Sequence, residues 1–154
     1  MIRLCLIYIM NIIYYKIPLQ LSGLLSGNEL PTCDIKESIT KNLELIIMSK
    51  FGEHRHDRGF GCEIWDLDFE LIVSENKWKE KLRQSLLKSI TTHEHRLSEV
   101  QLNVEISEIE KFRLFRQFVE IKKRVEIKLT GIIHKTGESF SFSNNLFLSP
   151  LSAD

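Results

Sequence analysis

The sequence predicts an α+β domain in which two main helices pack on a small antiparallel sheet of about three strands, behind an N-terminal arm. Three observations carry this reading. Two segments before residue 92 repeat apolar residues at helical spacing. Segments after residue 99 alternate apolar and polar residues at period two. Finally, 154 residues are enough for one core, which at this size buries roughly 70% of the surface of the unfolded chain. The domain is accordingly read as residues 34–154 and the arm or linker as residues 1–33.

Taken in order, the chain opens with MIRLCLIYIMNIIYYKI, an apolar run with an early Arg3. No small-residue cleavage site follows it, and Asn11 and Lys16 interrupt it short of the ~20 residues that span a bilayer. Neither export nor membrane insertion is expected, and a cytoplasmic location is. Translation from Met10 would leave residues 1–9 unmade, which the intact mass of the natively expressed protein decides. Residues 17–32, IPLQLSGLLSGNELPT, carry two prolines and two glycines that break any long element.

Asp34 then reads as a helix N-cap with Glu37 three residues on, and Ile35, Ile39, Leu43, Ile46 and Ile47 share one face, giving a helix over 34–49 with Gly52 as its stop. Residues 52–62 have three glycines and no periodicity, hence a loop. Over 63–73, Trp65, Leu67, Phe69, Leu71 and Val73 alternate with mostly acidic neighbours, while Ile64, Leu67 and Leu71 would also share a helix face, so strand and short helix both fit. A second amphipathic helix runs over 76–91, with Trp78, Leu82, Leu86 and Ile90 at four-residue steps. After the link HEHR, Val100, Leu102, Val104 and Ile106 mark a half-buried strand. The pattern returns over 121–134, turns at Lys135-Thr136-Gly137 and continues over 139–148. Between the first two strands, EIEKFRLFRQFVE with Phe112, Phe115 and Phe118 fits a short helix or strand ends splayed around a loop.

Composition narrows the function. The chain is 43% hydrophobic and 27% charged, as globular proteins are. Lys plus Arg and Asp plus Glu number 21 each, so no global positive field favours nucleic acid. The acids Glu63, Asp66, Asp68, Glu70 and Glu75 run together, while 77–88 and 111–128 are mainly basic, and opposite-signed faces suit protein docking. Cys5, Cys33 and Cys62 are odd in number and unrelated in spacing, which predicts reduced thiols.

The candidate chemistries are thin. His54 and His56 form one HxH and His93 and His95 another, with Cys62 near the first, but neither HExxH nor a cysteine pair closes a metal site. Solvated loop histidines are the plainer reading. Asp66, Asp68 and Glu70 would share a face of a strand as the carboxyls of a glycoside hydrolase must, yet an acidic stripe is ordinarily the wet side of an amphipathic element. Cys62 follows Gly61 as a nucleophile can, but no histidine is tied to it by spacing, and a buried thiol is the alternative. Gly59-Phe60-Gly61 lacks the Lys-Ser/Thr of a phosphate loop. What the residues support is a structured loop, with glycines at 52, 59 and 61 and with Arg55 and Arg58 able to fork onto carboxylates. It is a recognition surface or a loop folded tightly on its own domain.

The order of motifs adds a resemblance. A helix, then FGEHRHDRGFGC, an acidic-aromatic run ending DFE, a further helix and ITTHEHRL before a strand closely resembles the TssE-like baseplate family shared by contractile phage tails and type VI secretion systems, over about residues 35–148. Gly52, Glu53, Phe60 and Gly61 match the family's first motif, with His54-Arg55 in place of Arg-Val. Glu94, Arg96 and Leu97 match the second, with His95 where the family has proline and His93 where it has an aromatic residue. Proline would fix the backbone of that corner, and histidine does not. The resemblance implies a non-enzymatic structural subunit, with no cofactor, no small-molecule substrate and no direct membrane insertion. Its implied partners are baseplate wedge subunits and contractile sheath subunits, the sheath being laid down on strand edges. Glu94 and Arg96 are implied as the essential pair, either as a salt bridge locking the corner between helix and sheet or as contacts to a sheath subunit. The loop with Gly52, Glu53, Arg55, Phe60 and Gly61 is assigned to docking or to bracing. The family is often labelled lysozyme-like, and the rival readings are a peptidoglycan hydrolase using Asp66, Asp68 or Glu70 and a histidine-rich metal-binding module.

Overall fold

The computed structural model describes residues 12–67, 75–113 and 118–148. The chain forms two compact units, Met1–Lys41 and Asn42–Asp154. In the first, strand β1 (Tyr14–Tyr15) pairs antiparallel with β2 (Thr32–Cys33), and Lys16 N–H donates to Pro31 O at 2.9 Å. Between them lies the short helix α1 (Leu21–Leu25), none of whose residues is buried. The segment read as an arm thus holds a ribbon and a turn of helix. Helix α2 (Ile35–Met48) starts where the cap predicts, with Asp34 Oδ1 accepting from Glu37 N–H at 2.6 Å.

In the second unit, α2 buries Leu43, Ile46 and Ile47 completely. Helices α3 (Ile64–Leu67) and α4 (Glu75–His93) follow, then strands β3 (Leu97–Arg113), β4 (Phe118–Ile133) and β5 (Ser139–Leu148). Of the segment that fitted strand or helix, residues 64–67 are helical, and residues 68–73, with Asp68 and Glu70, lie outside the described residues. Helix α4 buries Trp78, Leu82, Leu86 and Ile90, the predicted stripe, and packs against β3.

The sheet has the order β3-β4-β5 and is antiparallel throughout. Its inner face stacks Leu102, Leu129 and Phe142 in one row and Ile106, Val125 and Leu146 in another, as the registers require. Fully burying one such side chain contributes about 1.5–3 kcal/mol. The two long strands are longer than the alternation predicts. Residues 108–113 and 118–120 form neither a helix nor splayed ends but continue the ladder as far as Arg113 opposite Phe118, because pairing satisfies their backbone groups. Phe115 lies outside the described residues.

At the other end β3 begins at Leu97 rather than Val100. A bulge between Ser98 and Gln101, with Glu99 at φ 51°, sets two residues of β3 against Gly131 of β4. The extra residue changes parity, so odd-numbered Leu97 and even-numbered Leu102 both face the core. The turn after β4 is closed by Gly137 N–H to Ile133 O at 2.8 Å. No helix among the described residues is long and apolar enough to cross a membrane.

Candidate functional site

Where α4 ends, the chain has three residues, Glu94, His95 and Arg96, in which to turn into β3. The carbonyl of Ile90 accepts from Glu94 N–H at 2.8 Å, closing the helix, and Arg96 O accepts from His134 N–H at 2.8 Å, opening the sheet. The Glu94 carboxylate fills the angle between. Its Oε1 accepts from Arg96 Nε at 2.7 Å and from the Arg96 backbone N–H at 3.1 Å, while Oε2 accepts from Arg96 Nη2 and from Asn42 Nδ2 at 3.0 Å. Asn42 also donates to His93 O at 3.3 Å, which ties α2 to the same corner.

Glu94 is 2% exposed. Burial pushes its carboxyl up, but the bonds from Arg96 and Asn42 and the guanidinium charge outweigh it, and the net direction is below the usual carboxylate range. Leu97, the last residue of the motif, is 8% exposed and belongs to the core. The corner is therefore held by an ion pair whose carboxylate is desolvated and whose guanidinium is partly exposed, with histidine standing at position 95 exposed to solvent.

The second cluster closes the loop after α2. Ile47 O, one of the carbonyls a helix C-terminus leaves without an intrahelical partner, accepts from Trp65 Nε1 at 3.2 Å and from Cys62 Sγ at 3.3 Å, and Ser49 O accepts from Cys62 N–H at 2.9 Å. Gly61 makes this return possible: it sits at φ 115°, and a Cβ there would lie 2.5 Å from Ser49 O. At the loop's start, Glu53 accepts from Lys50 N–H at 3.0 Å and Gly52, at φ 81°, donates to Arg58 O at 3.0 Å. The Phe60 ring meets His93 edge to face at 5.2 Å. His93 fastens the loop further, with Nε2 3.1 Å from Gly59 O and Nδ1 3.5 Å from Asp57 Oδ2, and Asp57 Oδ1 accepts from Gly59 N–H.

The structure thus brings the nominated residues into two groups. Glu94, Arg96 and Leu97 form the corner. Gly52, Glu53, Phe60 and Gly61 fold the loop onto its own helix and onto α4, and Arg55 stands exposed with no partner among the described residues. His93 joins the two groups. Among the described residues, no three His, Cys, Asp or Glu side chains converge as metal ligands: His54 leans on Phe60, and Cys62 is fully buried. Asn42 was not nominated from the sequence, although a signal exists, because it is the one polar residue at a stripe position among Ile39, Leu43, Ile46 and Ile47.

Comparison with known proteins follows the same lines. No curated protein sequence matches the chain. In fold the chain is similar to the crystal structure of a protein from Geobacter sulfurreducens described as a "putative tail lysozyme", with a TM-score of 0.53 and 19% identity over 76% of this chain and 94% of that one. The family model described as "Baseplate wedge protein gp25" matches residues 33–137, a span that takes in the loop, the helix-to-sheet corner and the greater part of the sheet. With that match across more than half its length, the chain belongs to the gp25 family of baseplate wedge proteins, structural components of contractile tails.

Proposed function

We propose that this chain joins the wedge of a type VI secretion-like baseplate to the contractile sheath and starts sheath polymerisation, in the cytoplasm and without catalysing a reaction. The observation that carries the reading is family membership over residues 33–137. The sheath role draws support from the topology: with the order β3-β4-β5, two outer strands can offer backbone N–H and C=O groups to an added strand. A structural role draws support from the chemistry of the corner, where Glu94 is committed to Arg96 and Asn42. In this reading Glu94, Arg96 and Leu97 fix the angle between α4 and the sheet, Gly52, Glu53, Phe60 and Gly61 brace the loop, and Arg55 is presented for docking.

The test is crosslinked affinity purification of the tagged protein from its native cells, with partners identified by mass spectrometry. Wedge and sheath subunits are expected together. Wedge subunits without sheath would remove the sheath role, and recovery of neither would overturn the reading. Purified protein is expected to release no fragments from peptidoglycan; turnover would overturn the non-enzymatic part.

A further inference from the structure

A groove of about 420 Å³ runs between the loop after α2 and the last turns of α4. Among its polar lining residues are Asp57, Arg58, Glu63, Ser85, Lys88 and Ser89, while Thr92 Oγ1 already donates to Lys88 O and His93 is engaged by the loop. Asp57 is occupied by His93 and by Gly59 N–H, and Ser85 Oγ already accepts from Glu63 N–H at 3.3 Å. The cations differ. Arg58 and Lys88 are exposed, and neither side chain has a partner among the described residues. Ser89 is 2% exposed, and its hydroxyl has no hydrogen-bond partner among the described residues. A buried donor left unsatisfied is costly, so its presence at the groove's floor is a second, independent sign that an acceptor belongs there.

We infer that this groove takes a carboxylate side chain, Asp or Glu, carried on a segment of a partner baseplate subunit. The free donors are two cations and the hydroxyls of Ser85 and Ser89, and Glu63 is the one carboxylate of the lining without a described partner, so the balance favours an acidic occupant. Phe51 adds an apolar wall, and the groove is open to solvent along one side, which suits a side chain whose backbone continues outward. Ser89, Arg58 and Lys88 all line the groove, so one acidic side chain there lies among all three donors. That the occupant is a polypeptide rests on the baseplate reading; that it is acidic rests on the groove.

The test places a photocrosslinking amino acid at Thr92, which lines the groove, and as a control at Ser141 on the exposed face of the sheet, in the full chain in native cells. The Thr92 probe is expected to capture a wedge-subunit segment containing Asp or Glu. The double variant R58E/K88E, at two exposed positions, should keep the wild-type urea midpoint and lose the crosslink by about tenfold or more. Replacing the captured acid by Lys should restore the crosslink to R58E/K88E. The inference is overturned if wedge subunits copurify but Thr92 captures none of them. It is equally overturned if the captured segment has no acidic residue, or if R58E/K88E folds and crosslinks as wild type does. If the wild type recovers no baseplate subunit at all, the baseplate reading falls first and takes this inference with it.

Discussion

Glu94 and Arg96 stand two residues apart in the sequence, and the turn from α4 into β3 folds them into a forked ion pair whose carboxylate is 2% exposed. An exposed pair contributes under about 1 kcal/mol, but a desolvated carboxylate depends on its partners. Arg96→Ala leaves that charge with Asn42 alone among the described side chains that bond it, and should cost about 2–3 kcal/mol. Glu94→Ala removes one partner of a guanidinium that is partly exposed and has further interactions, and should cost less. Removing both avoids an orphaned charge, so the double variant should be clearly more stable than the sum of the singles predicts. Urea midpoints of the four proteins give the coupling directly, and strict additivity would mean that the fork contributes nothing.

The same pair sets an acid limit. Folding lowers the Glu94 pKa from its ordinary value of 4.5. A group whose folded pKa is depressed stabilises the fold fully above its unfolded pKa and loses that contribution as pH falls through the folded one. Stability should therefore not fall on this account between pH 7 and pH 5, and should fall below about pH 4.5, less steeply in Glu94→Gln. Glu80, pulled down to about 2 by Arg83 and Gln84, titrates in the acid range too, but it is fully exposed. Salt at 1 M screens exposed charges and should leave the Glu94 contribution largely in place. Urea midpoints at pH 7, 5, 4 and 3, at low and high salt, separate the two.

How much of this was legible beforehand follows from where the signals are local. Asp34 and Glu37 announce a helix start within four residues, and the alternation over 121–134 is a period-two pattern, so α2 and β4 could be read directly. The start of β3 could not, because the bulge at Glu99 reverses the parity and hides Leu97 from an alternation count. Nor could the tips of β3 and β4, whose aromatic spacing of three imitates a helix while the deciding force is the pairing of the two strands with each other as far as Arg113 opposite Phe118. At the site, the motif residues were visible as letters, but the division between corner, brace and exposed residue depends on contacts such as Asn42 to Glu94, across 52 positions.

Two glycines of the loop are predicted to behave differently. Gly52 has φ 81° with open space around an added Cβ, so Gly52→Ala should cost about 1 kcal/mol from backbone conformation alone. Gly61 combines φ 115° with a Cβ position 2.5 Å from Ser49 O and 2.9 Å from Ser49 C, both backbone atoms that cannot swing aside. Gly61→Ala should cost more than about 2 kcal/mol and speed exchange of the Cys62 amide, which bonds Ser49 O. Equal effects at the two positions would show that the loop does not close on the end of α2 as described.

Arg55 offers the sharpest separation of bracing from docking. Gly52, Glu53, Phe60 and Gly61 are all engaged within the chain, so a change at any of them alters the loop, and a lost partner afterwards says little about contact. Arg55 is exposed, without a described partner, and replacing it disturbs no bond seen in the structure. Arg55→Glu should leave the urea midpoint within about 0.5 kcal/mol of wild type, as surface substitutions do. A reversed charge at a docking face costs far more across the interface, since it turns an attraction into a repulsion. Recovery of baseplate partners from native cells should therefore drop by about tenfold or more in Arg55→Glu and stay near wild type in Lys135→Glu, a charge reversal at an exposed position in the β4–β5 turn. Undiminished recovery with Arg55→Glu would leave the loop the single task of fastening α2 to α4.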